Sequence, residues 1–421
     1  MTAALFDDLV WRGLHYSATP DLEEAMAAGP LSLYLGTDPT ADSLHIGHLL
    51  GLITLRRFQE AGHRPVALVG GGTGLVGDPS GRSEERPLLS ADEIKVMVEG
   101  IRGQVERFID PSSGATVVDN LDWLGPAGLM EFLRDVGKHF TVNSMIAKDS
   151  VRSRLEEREQ GISFTEFSYQ LLQAYDYLQL HDRFDCRLQI GGSDQWGNIT
   201  NGVDLIRRVR GAQAHALVWP LITVGGEKMG KTAGNAVWLD PKRTSPYHLY
   251  QFFLRSNDAD VGNFLRAYTF LDRDRIGELD DATASRPEKR EAHRALATEV
   301  TSMVHGEEET LKARRVSELL FTEEIGGLDE ATLLDVMSDA PSTNRGLQDL
   351  DGTGLPLVDA LSGVLVKSKS AARTTIDQGG AYVNNRREDD SDRRLTRDDL
   401  IAGSYILLRR GKREQHLLRF G

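Results

Sequence analysis

Apolar residues along the 421-residue chain recur with two different periods. From residue 30 onward, 31–35, 65–69, 116–119 and 187–190 form short apolar runs of strand length. Between them, 44–60, 128–136 and 167–180 carry apolar positions three and four apart, the spacing of one-sided helices. Strands alternating with helices predict a parallel sheet covered on both faces, with ligands bound at the carboxyl ends of its strands. From about residue 247 the period is helical alone: 247–256, 260–268, 287–305 and 308–320 predict an all-α segment. The polar, glycine-containing stretch 338–354, with Pro341, reads as a linker. Beyond it, 370–378 reads as a capped helix stopped by Gly379 and Gly380. The runs 381–384, 404–409 and 415–420 read as strands, with a hairpin turn at Arg410, Gly411 and Lys412.

Composition narrows this picture. With 40% hydrophobic and 27% charged residues the chain is neither disordered nor fibrous. A single cysteine, Cys186, excludes an intramolecular disulfide framework and suits a reducing compartment. No apolar run approaches the roughly 20 residues that span a bilayer. The N-terminus places Asp7, Asp8 and Arg12 in an amphipathic stretch, unlike a secretion signal, so a cytoplasmic chain is expected. The net charge of −14 is unevenly spread: residues 354–421 carry +4 and the preceding residues −18. A basic tail on an acidic body points to a polyanion partner, although a merely solvated basic surface has the same composition.

Three segments carry candidate chemistry. Gly72, Gly74 and Gly77 follow a predicted strand with the spacing of a dinucleotide-binding loop. That loop needs a helix to begin within its glycines, and here Asp78 and Pro79 follow at once, Pro79 disfavouring helix at Asp78. A close-approach loop that presents the Asp78 carboxylate fits better than a nicotinamide site. In the second segment Asp42 or Ser43 can cap a helix that brings His45 and His48 onto one face, beside exposed backbone N–H groups suited to phosphate. His-x-x-His alone is a poor metal signal, and no metal is expected. Third, Lys228 and Lys231 lie three apart in a glycine-rich stretch and can close on a triphosphate, without the glycine spacing of a P-loop. Packed histidines and an exposed basic turn are the structural alternatives for the last two. Tyr169, Gln173 and Asp176 share one face of the 167–180 helix, which is either a solvated face or a pocket wall.

Taken in order, His45-Ile46-Gly47-His48 and Lys228-Met229-Gly230-Lys231-Thr232 resemble the two signatures of the class I aminoacyl-tRNA synthetases. Gly230 and Thr232 stand where the family pattern has serines; both are small, and Thr232 keeps a hydroxyl. The segment from Tyr34 through Thr40 and the block Gly191-Gly192-Ser193-Asp194-Gln195-Trp196 extend the resemblance to bacterial tyrosyl-tRNA synthetases over most of 31–239. The tail is similar to the small RNA-binding fold named after a ribosomal small-subunit protein.

This resemblance implies an α/β fold: a Rossmann-like catalytic domain with a parallel sheet over 1–240, an all-α anticodon-recognition domain over 241–338, a linker over 339–353 and a small α+β RNA-binding domain over 354–421. It implies activation of L-tyrosine by ATP, with Mg²⁺ as a substrate ion, and transfer of tyrosine to tRNA(Tyr). Tyr34 and Asp176 are then expected at the substrate phenol, with Asp78, Tyr169 and Gln173 at its ammonium group. Gly36, Asp38, Gly192, Asp194, Gln195 and Lys231 are expected at the nucleotide. Thr40, His45, His48, Lys228, Lys231 and Thr232 are expected at the β,γ-phosphates, and Arg82 and Arg86 at the leaving pyrophosphate. Lys367, Lys369 and Arg373 are the RNA-contact candidates. A homodimer is implied through 128–150, with Phe132, Phe140, Val142 and Met145. Tryptophanyl relatives share much of this pattern, and Tyr34 with Asp176 favours tyrosine.

Overall fold

The computed structural model describes residues 2–80, 88–148, 151–152, 162–224, 227–228, 236–320, 322–338, 340–411 and 414–421. The chain divides into two compact units: Met1–Thr244 with Ser256–Leu296, and Ser245–Arg255 with Ala297–Gly421.

The first unit is built on a six-stranded sheet of β1 (Ser17–Ala18), β2 (Ser32–Thr37), β3 (Arg64–Val69), β4 (Thr116–Asp119), β5 (Cys186–Gly192) and β6 (His215–Trp219). Its order is β1-β6-β5-β2-β3-β4, parallel except for β1, which pairs antiparallel with β6. The chain winds from β2 through β3 to β4 and then returns to β5 on the other side of β2. A crevice therefore opens where β2 and β5 diverge, the switch point at which open parallel sheets bind ligands.

Helices cover the sheet as their apolar periods require. The Ile46–Glu60 helix buries Ile46, Leu49, Leu50, Ile53 and Leu55. It begins two residues later than expected, because the cap is His45 rather than Asp42 or Ser43. Ser43 is buried and bonds the Leu44 carbonyl, while Gln104 takes up the Leu44 N–H at 2.8 Å. The Phe164–Phe184 helix is longer than expected at both ends, capped by Ser163 and stopped at Asp185 in left-handed backbone (φ 49°).

It packs on the Trp196–Arg210 helix, where a Cβ on Gly202 would lie 2.7 Å from Cδ1 and 2.9 Å from Cβ of the buried Tyr177. The nearest atoms include the Tyr177 Cβ, which cannot move without its helix, so the Gly202→Ala variant is expected to lose about 1–3 kcal/mol of stability through overpacking. Urea unfolding of the two proteins checks this.

The 245–338 stretch is helical, as expected, but its helices are shared between the two units. Asp258–Tyr268 belongs to the first because buried arginines hold its end: Arg12 donates to the Arg266 and Leu271 carbonyls, and Arg57 to that of Thr269.

A short hairpin of β7 (Thr223–Val224) and β8 (Glu227–Lys228) completes the described strands of the first unit; in the second, β9 (Ser342–Arg345) lies within the stretch expected as a linker. It is instead the edge of a five-stranded sheet, pairing parallel with the last strand. Its alternation of exposed and half-buried polar residues carries no apolar signal. The remaining strands are β10 (Leu355–Pro356), β11 (Ala381–Val383), β12 (Arg386–Glu388), β13 (Arg394–Leu395), β14 (Tyr405–Arg410) and β15 (Glu414–Phe420); β10 pairs with β13 outside the sheet. The Lys369–Asp377 helix is capped by Ser368 and followed by Gly379 at φ 66°. It packs Ala372 and Ile376 into the same core as Ile406, Leu408 and Leu418.

Candidate functional site

At the carboxyl ends of β2 and β5 lies a cavity of about 290 Å³. Thirteen residues singled out from the sequence line it: Tyr34, Gly36, Asp38, Thr40, His45, His48, Asp78, Tyr169, Gln173, Asp176, Gly192, Asp194 and Gln195. Arg82, Arg86, Lys231 and Thr232 lie outside the described residues, as do Met229 and Gly230. Of Lys228 the backbone is described, in a short hairpin with Thr223 opposite. Lys367, Lys369 and Arg373 are exposed in the second unit, on and just before the Lys369–Asp377 helix, with Lys369 paired to Asp359 at 2.7 Å.

Two buried side chains form one wall. Tyr34 comes from β2 and Asp176 from the Phe164–Phe184 helix; they are 1% and 3% exposed. The Asp176 oxygens accept hydrogen bonds from Trp123 Nε1 at 2.7 Å and Asn120 Nδ2 at 2.9 Å. Burial pushes the Asp176 carboxyl up to about 8, against the lowering pull of those two donors. Burial first, and then the charge of Asp176, raise the Tyr34 phenol well above its ordinary range. The Tyr34 hydroxyl is buried without a hydrogen-bond partner among the described residues. Such a group lining a cavity is suited to a ligand that supplies the missing bond.

A second group of side chains ties this wall to the rim. Tyr169, two turns before Asp176, donates its hydroxyl to Asp38 Oδ2 at 2.8 Å. Asp38 Oδ1 accepts from Thr73 Oγ1 at 2.6 Å, and Thr73 Oγ1 accepts from Asn120 Nδ2 at 2.8 Å. Asn120 thus donates to both Thr73 and Asp176, while its carbonyl oxygen accepts from the Gly72 N–H at 2.7 Å. The glycine loop is therefore part of the site in a way unlike a dinucleotide fingerprint. Its turn is a short 3₁₀ segment, Thr73–Leu75, and the next described helix starts at Ala91. A side chain on Gly70 would run into the Asp38 carboxylate, so the loop needs glycine there to approach β2. Asp78, just past it, accepts from Gln195 Nε2 at 2.8 Å and from the Ser80 N–H at 2.9 Å.

The histidines occupy the helix start. His45 has extended backbone, and its Nδ1 accepts from the Gly47 N–H at 3.0 Å. His48 Nδ1 accepts from the His45 N–H at 3.3 Å, and the rings stack with centroids 3.9 Å apart. A neutral imidazole whose Nδ1 accepts carries its proton on Nε2, so each ring retains a donor. Two such donors at a helix N-terminus favour an anionic oxygen.

The sequence did not single out Asn120, Trp123 or Thr73. Asn120 and Trp123 begin the short segment after β4, and the only signal for them was the position at the carboxyl end of a parallel strand.

Comparison with known proteins gives the family of the chain. Residues 26–322 match the family model "tRNA synthetases class I (W and Y)", and 333–418 match "Tyrosine--tRNA ligase SYY-like C-terminal domain". The chain is 52% identical over 420 residues to a tyrosine–tRNA ligase of Roseiflexus castenholzii, covering 99% of each chain. It is 50% identical to one of Opitutus terrae, covering 97% of this chain and 98% of the relative. Among solved structures, a C-terminally truncated mitochondrial tyrosyl-tRNA synthetase of Aspergillus nidulans superposes with a TM-score of 0.69 at 30% identity, covering 75% of this chain and 94% of that one. The chain belongs to the class I tRNA synthetases of the tryptophan and tyrosine family, in its tyrosine–tRNA ligase branch.

Proposed function

We propose that the protein is a tyrosine–tRNA ligase in which Tyr34 and Asp176 select the amino acid. The observation that carries this reading is the buried Tyr34 hydroxyl, without a hydrogen-bond partner among the described residues, lining the cavity together with the Asp176 carboxyl group. A phenol between them accepts from one and donates to the other; phenylalanine leaves both wanting. Asp78, Tyr169 and Gln173 take the ammonium group. Gly36, Asp38, Gly192, Asp194 and Gln195 take the nucleotide.

The tyrosine carboxylate oxygen attacks the ATP α-phosphorus. The bond to the bridging oxygen breaks, and pyrophosphate leaves with that electron pair. Alignment and stabilisation of spreading charge are what such a displacement asks of a protein. Thr40, His45 and His48 serve the β,γ-phosphates, together with Lys228, Lys231 and Thr232, and Arg82 and Arg86 serve the leaving pyrophosphate, as the family resemblance implies. Mg²⁺ enters with ATP as a substrate ion. A terminal ribose hydroxyl of the tRNA then attacks the activated carbonyl and releases AMP.

The decisive experiment is ATP–pyrophosphate exchange with tyrosine, phenylalanine and tryptophan supplied separately. Exchange with tyrosine alone is expected. Exchange with tryptophan overturns the pocket assignment, and exchange with none overturns the activity.

The exposed Lys367, Lys369 and Arg373 are the proposed tRNA contacts of the second unit. Reversing all three to glutamate is expected to leave exchange intact and to weaken charging. The slope of log affinity against log salt should also become shallower, by about 2 if each residue meets one phosphate. A filter-binding salt series checks this.

A homodimer through the 128–150 segment belongs to the same proposal. Phe132 and Phe140, named from the sequence, pack toward the core, and Met145 is buried. Leu129 (70% exposed), Met130 (78%) and Val142, with Leu133 and Ile146, are the exposed large apolar residues described in this segment. Among the described residues no helix is long and apolar enough to cross a membrane, in keeping with cytoplasmic work on tRNA.

A further inference from the structure

Two stretches far apart in sequence are laced together beside the histidines. The Ile46 N–H donates to the Val237 carbonyl at 2.9 Å, and the Leu239 N–H donates to the Leu44 carbonyl at 2.8 Å. His45 and Trp238 thereby face each other as an antiparallel bridge. The Asp240 N–H donates to Ser43 Oγ at 3.2 Å, and the Trp238 N–H to Thr244 Oγ1 at 3.0 Å.

The side chains continue this as a column. The Arg243 guanidinium sits 4.2 Å from the Trp238 ring centroid, and its Nε pairs with Asp42 at 3.1 Å. The indole meets the His45 ring edge to face, with centroids 6.0 Å apart and planes at 67°. His45 in turn stacks on His48. The Gly47 hydrogen bond fixes one point of the His45 ring, and rings on either side restrict its rotation about Cβ–Cγ.

We propose that Trp238 is a positioning residue for adenylate formation, holding the His45 ring at the orientation in which its Nε2–H meets the phosphates. This rests on the activity proposed above. Trp238 is absent from the residues lining the cavity, so its effect passes through His45. Aromatic pairs and cation–π contacts supply enough to bias a ring between orientations, and a misplaced catalytic group costs rate steeply.

The test is single-turnover formation of tyrosyl-adenylate by the full chain and its variants. Trp238→Leu is expected to slow that step by about tenfold, with the dissociation constant for tyrosine changed less than about twofold. Trp238→Phe, which keeps an aromatic edge against the histidine and safeguards the fold, is expected to recover most of the rate. In a His45→Ala background, Trp238→Leu is expected to cost less than about twofold further, because its target is gone. An unchanged rate in both Trp238 variants overturns the proposal. So does the full tenfold cost in the His45→Ala background, or an equal loss of tyrosine affinity. A wild-type chain that makes no tyrosyl-adenylate overturns the activity itself, and this proposal with it.

Discussion

The Asp176→Asn variant is expected to lose roughly 30- to 100-fold in kcat/KM for tyrosine, measured by pyrophosphate exchange. The carboxylate accepts from Trp123 on one oxygen and from Asn120 on the other. An amide can accept on one side only, so one of two buried donors is left facing an N–H group. An unsatisfied buried group of this kind costs about 1–3 kcal/mol, and the remaining oxygen can no longer serve both a buried donor and the substrate phenol. Phenylalanine, with no hydroxyl to place, should suffer far less, so the ratio between the two substrates shrinks along with the rate. The same variant has a signature in stability. Between the ordinary 3.8 and about 8 the folded chain keeps a proton on Asp176 that the unfolded chain has released. Wild-type stability contributed by this group is therefore fully present below pH 3.8 and falls as pH rises toward 8. Asp176→Asn removes that part of the slope, which urea unfolding at several pH values reads directly.

The His45→Ala variant is expected to slow adenylate formation by about 10²–10³-fold, the usual cost of removing one donor aimed at charge that develops in a transition state. Tyrosine affinity should be nearly unchanged, since the pocket wall of Tyr34 and Asp176 does not involve the histidine. A second effect comes from the fold: the ring caps the Ile46–Glu60 helix, and losing a cap costs about 1 kcal/mol. Rate and stability are thus measured on the same protein. A loss of tyrosine affinity as large as the loss of rate would assign His45 to ground-state binding instead.

Much of the fold was legible because buried parallel strands write themselves as uninterrupted apolar runs. Thr116–Asp119 has the bounds expected from its residues, and β3 differs by one residue at its start. His215–Trp219 was not found, although all five of its residues are buried, because a five-residue run opening on histidine offers no alternation. The Trp196–Arg210 helix was missed for a different reason. Its buried face includes Asn198, Asn201 and Gly202, so the helical period is carried partly by polar residues. The face shared by Tyr169 and Asp176 followed from helical spacing; whether it met solvent or a cavity did not. That depends on β2 lying opposite, a tertiary fact. Asn120 and Trp123 were invisible for the same reason, since an asparagine acquires meaning here only by bridging Gly72, Thr73 and Asp176.

The order of the strands also governs how the chain is made. β2 lies at the centre of its sheet, yet β5, one of its two neighbours, begins at Cys186, and β1 pairs with Leu217 and Val218. Ribosomes add about 5–20 residues per second, so β2 waits about 7 to 30 seconds for the second side of its ladder. During that interval an apolar strand edge is open to any other chain. Synthesis of this first unit is accordingly the step most exposed to aggregation, and the one at which a chaperone that shields strand edges has most effect on yield.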